Sequence, residues 1–166
     1  CNVGINEVAA HYTSPPSDSS TVPSGAVVKV DFGAEVEGYI ADSATTISFT
    51  PEYTPMVLAA EEALRSAVEG LRPRLRVSEI GALIQKTILE RGYKPVSNLT
   101  GHKVDRYAVH TGKAIPNVPD IDGSRIEAGE VYAMEPFATP QSAAGRVRDV
   151  EEAFIYRFHR EKGVRT

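Results

Sequence analysis

The sequence holds a single cysteine, Cys1, so no disulfide within the chain can brace the fold. That sparing use suits a reducing compartment, and the expected location is cytoplasmic. No apolar stretch approaches the roughly 20 residues of a membrane-spanning helix. A basic-then-apolar start of the secretory kind is also missing. Lys and Arg number 18 against 22 Asp and Glu, the formal net charge is −4, and the basic residues form no long run. This argues against nucleic acid or an anionic membrane surface as the main partner. There is no internal repeat and no long low-complexity tract. What remains is a 166-residue chain, 42% hydrophobic and 24% charged, long enough to bury a sizeable core as one domain.

Residues 11–25 are rich in Ser, Pro and Thr and are expected to form a surface loop. Residues 26–32 (AVVKVDF) are dense in β-branched side chains and predict a strand. Gly33-Ala34-Glu35 is the expected turn, and residues 36–49 the second strand of a hairpin. Thr54-Pro55 suggests an N-cap followed by proline in the first turn. Val57, Ala60, Leu64, Val68 and Leu71 then recur at helical spacing, with Pro73 as the stop. Ser78 is the expected cap of a second helix, with Glu79 at its positive end. Its buried stripe is Ile80, Leu83, Ile84 and Ile88, Gly92 suits its C-terminal cap, and Gly81 marks a close helix contact. Loop-rich sequence follows Tyr93. Residues 131–139 and 153–158 predict further strands. Strands, a helix pair, then strands again imply an α+β fold with antiparallel pairing.

Asp31 is expected at the end of the first strand and Asp42 on its partner, both interrupting apolar, strand-forming sequence. Side chains alternate across a sheet, so the register decides whether the two carboxylates share a face. Two buried carboxylates repel, and a divalent cation relieves both the repulsion and the desolvation; shared protonation or a Lys or Arg partner would also do so, and two solvated aspartates would need no relief. His102, after Gly101 in a polar stretch, and His110 suit either ligands or surface histidines. Glu135 is more informative. It sits in Tyr132-Ala133-Met134-Glu135-Pro136-Phe137, where a carboxylate needs a partner. Pro136 cannot donate to a sheet ladder, so the strand must break or lie at an edge there. Three carboxylates and one imidazole suit Mn, Fe, Co or Zn, and the set differs from a cysteine-rich structural zinc site.

Four blocks together resemble the type II methionine aminopeptidases: Ile5-Asn6-Glu7-Val8-Ala9-Ala10-His11-Tyr12-Thr13; Val30-Asp31-Phe32-Gly33 with Gly38-Tyr39-Ile40-Ala41-Asp42; Gly101-His102 with His110-Thr111-Gly112-Lys113; and Met134-Glu135-Pro136-Phe137. Their order and spacing match, and the resemblance covers nearly the whole chain. It implies the pita-bread fold, a curved antiparallel sheet backed by helix pairs. It also implies removal of the initiator methionine from nascent polypeptides by water activated between two divalent ions (Co, Mn, Fe or Zn). Carried over by position, Asp31 and Asp42 resemble the bidentate and bridging ligands, and His102 and Glu135 the ligands of the second metal. Glu135 would also act as proton relay. His11 resembles the histidine near the substrate amine, His110 the one at the scissile amide, and Val109 and Phe137 the lining of the methionine pocket.

The family carries a fifth ligand, a bridging Glu, much farther beyond the position of Glu135 than this sequence extends. The resemblance therefore implies a partial metallopeptidase domain, residues 1–166, cut at both ends and of little activity alone. Residues 158–166 resemble the start of the type II helical insertion. The implied partner is the methionine end of nascent peptides, in possible ribosome proximity. Two rivals share the fold: a non-catalytic relative binding ribosome, RNA or protein, and a prolidase or aminopeptidase P. The first would lose metal ligands, and the His11-Tyr12-Thr13 loop disfavours the second. The expected geometry is convergence of Asp31, Asp42, His102 and Glu135, flanked by His11 and His110.

Overall fold

The computed structural model describes residues 1–153, 155 and 156. Strand β1 (Asn2–Ile5), β2 (Val27–Val36) and β3 (Tyr39–Ser48) form an antiparallel sheet in that order. Helices α1 (Thr54–Gly70) and α2 (Val77–Glu90) follow. Then come β4 (Lys94–Pro95), β5 (Thr100–Val104), β6 (Ala114–Pro116), β7 (Val131–Ala133) and β8 (Ala138–Thr139). These make a second three-stranded sheet ordered β6-β5-β7 and a small β4-β8 pair, all antiparallel.

The hairpin forms, but its turn is not at Gly33-Ala34-Glu35. Those residues continue β2, and the chain reverses at Glu37-Gly38, between the paired Val36 and Tyr39. Both turn residues have positive φ, 53° and 86°, as a two-residue type I′ hairpin loop requires. Gly38 is needed there twice over, since a Cβ would also strike the Tyr107 ring. The correction moves Asp31 from a strand end to mid-strand.

Helix α1 starts at Thr54, with Tyr53 rather than Thr54 as the cap and Pro55 in the first turn. Its buried residues are Ala59, Ala63 and Ala67, while Leu64, Val68 and Leu71 of the larger apolar series are exposed. Small side chains at i, i+4, i+8 let α1 lie close against α2. In α2, Ile80, Ile84 and Ile88 are buried as expected, with Leu83 only partly so. The helix begins at Val77, so Ser78 lies inside it; the Glu79 carboxylate instead accepts the Arg76 N–H at 2.9 Å. Gly92 closes the helix at φ 79°, donating to the Leu89 carbonyl.

The isoleucines of α2 pack with Val77, Ile115 and Ile126 into the core, joined by Tyr132 and Met134. This core pins the second sheet against the helices. Residues 131–139 do not run as one strand: pairing stops at Ala133 and resumes at Ala138, bracketing Glu135-Pro136. Of the strand expected at 153–158, Ala153, Ile155 and Tyr156 have no regular structure and the rest lies outside the described residues, as do residues 158–166.

Gly81 does mark a close approach, but to the chain after β6 rather than to a helix. A Cβ there would lie 2.5 Å from the Val118 carbonyl oxygen. Alanine is the better helix former by about 1 kcal/mol, yet Gly81→Ala should destabilise by about 1–3 kcal/mol through that overlap. A lower urea midpoint with unchanged slope is expected; an equal or higher midpoint would show that the Val118 segment yields.

Candidate metal centre

Register places the first two carboxylates. Asp31 pairs with Ala44 and Asp42 with Gly33, so both project from one face of the hairpin, diagonal to each other. In the second sheet His102 pairs with Ala133. It thus lies in strand β5 rather than in a loop. Tyr132 and Met134 turn toward the helix core, so Ala133 and Glu135 take the other face, the one His102 occupies. Gly101 permits this arrangement, because a Cβ there would collide with the Ala133 carbonyl and crowd the Glu135 nitrogen.

The result is a junction between sheets. His102 Nε2 lies 3.3 Å from Asp42 Oδ2 and 3.1 Å from Glu135 Oε1. One ligand atom from each of the three lies within 4.8 Å of the others. His102 is buried, at 7% exposure. Asp31 stands outside that tight trio. Its Oδ2 accepts from Asn2 Nδ2 at 3.1 Å, and Asn2 Oδ1 accepts from Thr13 Oγ1 at 2.8 Å. This fastens the loop bearing His11 to the strand bearing Asp31. His11 itself is exposed, with φ 64°.

His110 stacks against His102 with ring centroids 4.0 Å apart and planes at 49°. Its segment docks on the hairpin tip: Tyr107 N donates to the Gly38 carbonyl at 2.9 Å and Arg106 Nε to the Glu37 carbonyl at 2.8 Å. Arg106 also lies over the rings of Tyr39 and Tyr107. Val109 lines a shallow depression with Gly33, Ala34, Glu35, Ile40 and Tyr107. Phe137 is half-buried two residues past Glu135, and that depression does not include it.

Burial, reinforced by the charges of Asp42 and Asp31, pushes the Glu135 carboxyl up to about 7. The His102 imidazole pairs with both the Asp42 and the Glu135 carboxylates. Its Nε2 carries at most one proton yet faces two carboxylates, and its buried Nδ1 has no partner. The donor set is therefore over-supplied with negative charge and under-supplied with protons. A divalent cation between imidazole and carboxylates fits that deficit, and oxygen-rich sites with one imidazole suit Mn, Fe, Co or Zn. Asn2 and Asn117 carry no signal of the kind that singled out the ligands. Asn117 lies in Ile115-Pro116-Asn117-Val118-Pro119, where a lone amide among apolar residues is the trace that could have drawn attention.

Antiparallel sheets backed by a helix pair place the chain in the pita-bread class of α+β folds. The chain belongs to metallopeptidase family M24, which it matches over residues 1–166. It is 45% identical over 168 residues to a methionine aminopeptidase of Methanothermobacter thermautotrophicus, an alignment covering 99% of this chain and 56% of that protein. A crystal structure of methionine aminopeptidase from Thermotoga maritima superposes with a TM-score of 0.79 at 27% identity, over 90% of this chain and 60% of that one. The prolidase of Pyrococcus horikoshii shares the fold at a TM-score of 0.65 and 23% identity, over 81% of this chain and 39% of that one. The chain spans about half the length of the curated relatives it matches. Membership of a metallopeptidase family implies divalent metal ions.

Glu135 ties stability to pH in the metal-free chain. Its folded pKa, about 7, exceeds the ordinary 4.5, so the native state holds this proton more tightly than the unfolded state. The associated stability is complete below pH 4.5 and is lost as pH rises through about 7. With chelator present, the urea midpoint should fall across that window, and Glu135→Gln should flatten the fall. An equally steep fall in the variant would assign the dependence elsewhere.

Proposed function

We propose that this chain forms the metal-holding part of a cytoplasmic metalloaminopeptidase that removes the initiator methionine from nascent polypeptides, acting near the ribosome. Asp31, Asp42, His102 and Glu135 would hold two divalent ions (Co, Mn, Fe or Zn). The observation that carries this reading is the His102 imidazole faced at 3.1 and 3.3 Å by the Glu135 and Asp42 carboxylates, with no Lys or Arg among the described residues to neutralise them. The curated relatives at 40–45% identity are methionine aminopeptidases, whereas the prolidase likeness extends to the fold alone. All four ligand positions are kept, which disfavours a non-catalytic relative.

Divalent ions bound there would supply Lewis acidity, acidifying water near neutral pH and polarising a scissile carbonyl. The residues of the chain supply the rest. Glu135, in contact with His102 at 3.1 Å, is suited to take a proton from water and pass it to the leaving amine. His110, beside His102, would donate to the developing oxyanion. His11 would sit by the free amine of the substrate. Val109 and Phe137 would offer apolar surface to the methionine side chain.

Calorimetric titration with Mn²⁺ or Co²⁺ tests the site directly. The chain should bind, and His102→Ala should weaken binding by more than the roughly 10- to 100-fold that loss of an outlying hydrogen-bond partner costs. Failure of the unsubstituted chain to bind either ion at millimolar concentration would refute the site.

Activity is tested in a protein of the relatives' full length with Met-Ala-Ser as substrate. His11→Ala and His110→Ala should each lower turnover by about 100-fold or more, the scale of positioned acid–base or oxyanion groups, while metal content stays nearly intact. Loss of metal in His110→Ala would make that residue a ligand instead.

A further inference from the structure

Among the described residues, Asn117 is one of three buried polar or charged side chains, with no measurable exposure. It follows β6, at one edge of the β6-β5-β7 sheet. Its amide nitrogen donates twice, to the Leu99 carbonyl at 2.8 Å and to the Glu135 carbonyl at 3.0 Å. Leu99 leads into β5, which carries His102; Glu135 lies two residues past β7. One side chain thus reaches from β6 across the middle strand to the segment beyond the far strand. The assignment of amide nitrogen and oxygen is fixed chemically, because both partners are carbonyls and only the NH₂ end can donate to them.

The Asn117 amide bonds the Glu135 carbonyl where the regular sheet ladder has already ended. The ladder between β5 and β7 ends at the His102–Ala133 pair. Pro136 has no N–H, and the strand resumes only at Ala138. At that gap the chain must turn the Glu135 carboxylate to within 3.1 Å of His102 Nε2. The Asn117 amide replaces the missing ladder hydrogen bonds where the ligand-bearing backbone leaves the sheet. It does so at a cost, because its own Oδ1 is buried without a partner. A buried acceptor left unpaired is tolerated where the geometry it secures is needed.

We infer that Asn117 is a positioning residue for the metal centre, setting the separation between the His102 and Glu135 ligands by clamping the backbone on either side of them. The inference rests on the metal-site reading given above. It is a statement about backbone geometry, and its expected signature is a loss of metal affinity out of proportion to any loss of stability.

Asn117→Leu keeps the volume and removes both donors; Asn117→Ser, smaller and able to admit water, is the second variant should the first not fold. The control is Ile115→Val, a core change on β6 that destabilises without touching Glu135. Near-UV circular dichroism and urea unfolding establish folding and stability for each. Calorimetry with Mn²⁺ alone then reads affinity on the folded proteins. Asn117→Leu, or Asn117→Ser in its place, should bind Mn²⁺ about 10- to 100-fold more weakly than the unsubstituted chain, while Ile115→Val binds within about twofold of it. Equal affinity in the unsubstituted chain and the Asn117 variant overturns the inference and leaves the metal site standing. Equal weakening in Ile115→Val reduces Asn117 to a general stabilising role and overturns it too. No Mn²⁺ binding by the unsubstituted chain overturns the metal-site reading and this inference together.

Discussion

The contact on which this structure turns is a buried imidazole held between carboxylates from two separate sheets. His102 comes from the middle strand of one sheet, Asp42 from the hairpin of the other, and Glu135 from a gap in the chain beyond β7. Without a cation the junction is frustrated. Glu135 is driven toward its protonated form by burial and by two neighbouring acids, and one nitrogen of the imidazole is buried unpaired. A protein interior tolerates such an arrangement where its rigid elements over-determine it. Here they do: α2 and its isoleucines hold the second sheet from behind, and strand register holds the hairpin from the front.

Close backbone approach is the means by which that rigidity reaches the site. Gly101 lets the Ala133–Glu135 segment come against β5, and Gly81 lets the chain after β6 come against α2. Both glycines remove side chains where backbone must pass backbone, and both lie on the route from helix core to ligand. The histidine loop follows a similar logic. Tyr107 and Arg106 bond to the carbonyls of the hairpin tip, so the turn at Glu37-Gly38 sets where residues 105–110 land and hence where His110 meets His102. A change at the hairpin tip would therefore reach the imidazole pair through the backbone, at some distance from the metal ligands.

Much of this was legible in the sequence, for identifiable reasons. The α+β order, the hairpin and the isoleucine stripe of α2 follow from periodicity and β-branching, which are local properties. Glu135 stood out because a carboxylate in an apolar run must find a partner. Register was not legible. Asp31 sits in mid-strand because β2 runs on through Gly33-Ala34-Glu35, a stretch whose small residues suggest a turn. The alanine stripe of α1 was hidden behind larger apolar residues, because which face packs depends on the neighbour and not on hydrophobicity alone. His102 looked like a loop residue since β5 is short and polar, and only its pairing with β6 and β7 makes it a strand.

Asn117 was the least visible of the residues that shape the site, and the reason is physical. A ligand advertises itself by its chemistry, a charge or an imidazole where the pattern predicts neither. A residue that acts by bonding to main-chain carbonyls leaves no such mark, since its partners, the carbonyls of Leu99 and Glu135, are present at every position in every protein. What makes Asn117 matter is the interruption of the sheet at Pro136, which deprives Glu135 of its ordinary neighbours. The same proline that marks the strand break in the sequence therefore creates the need that the buried amide meets.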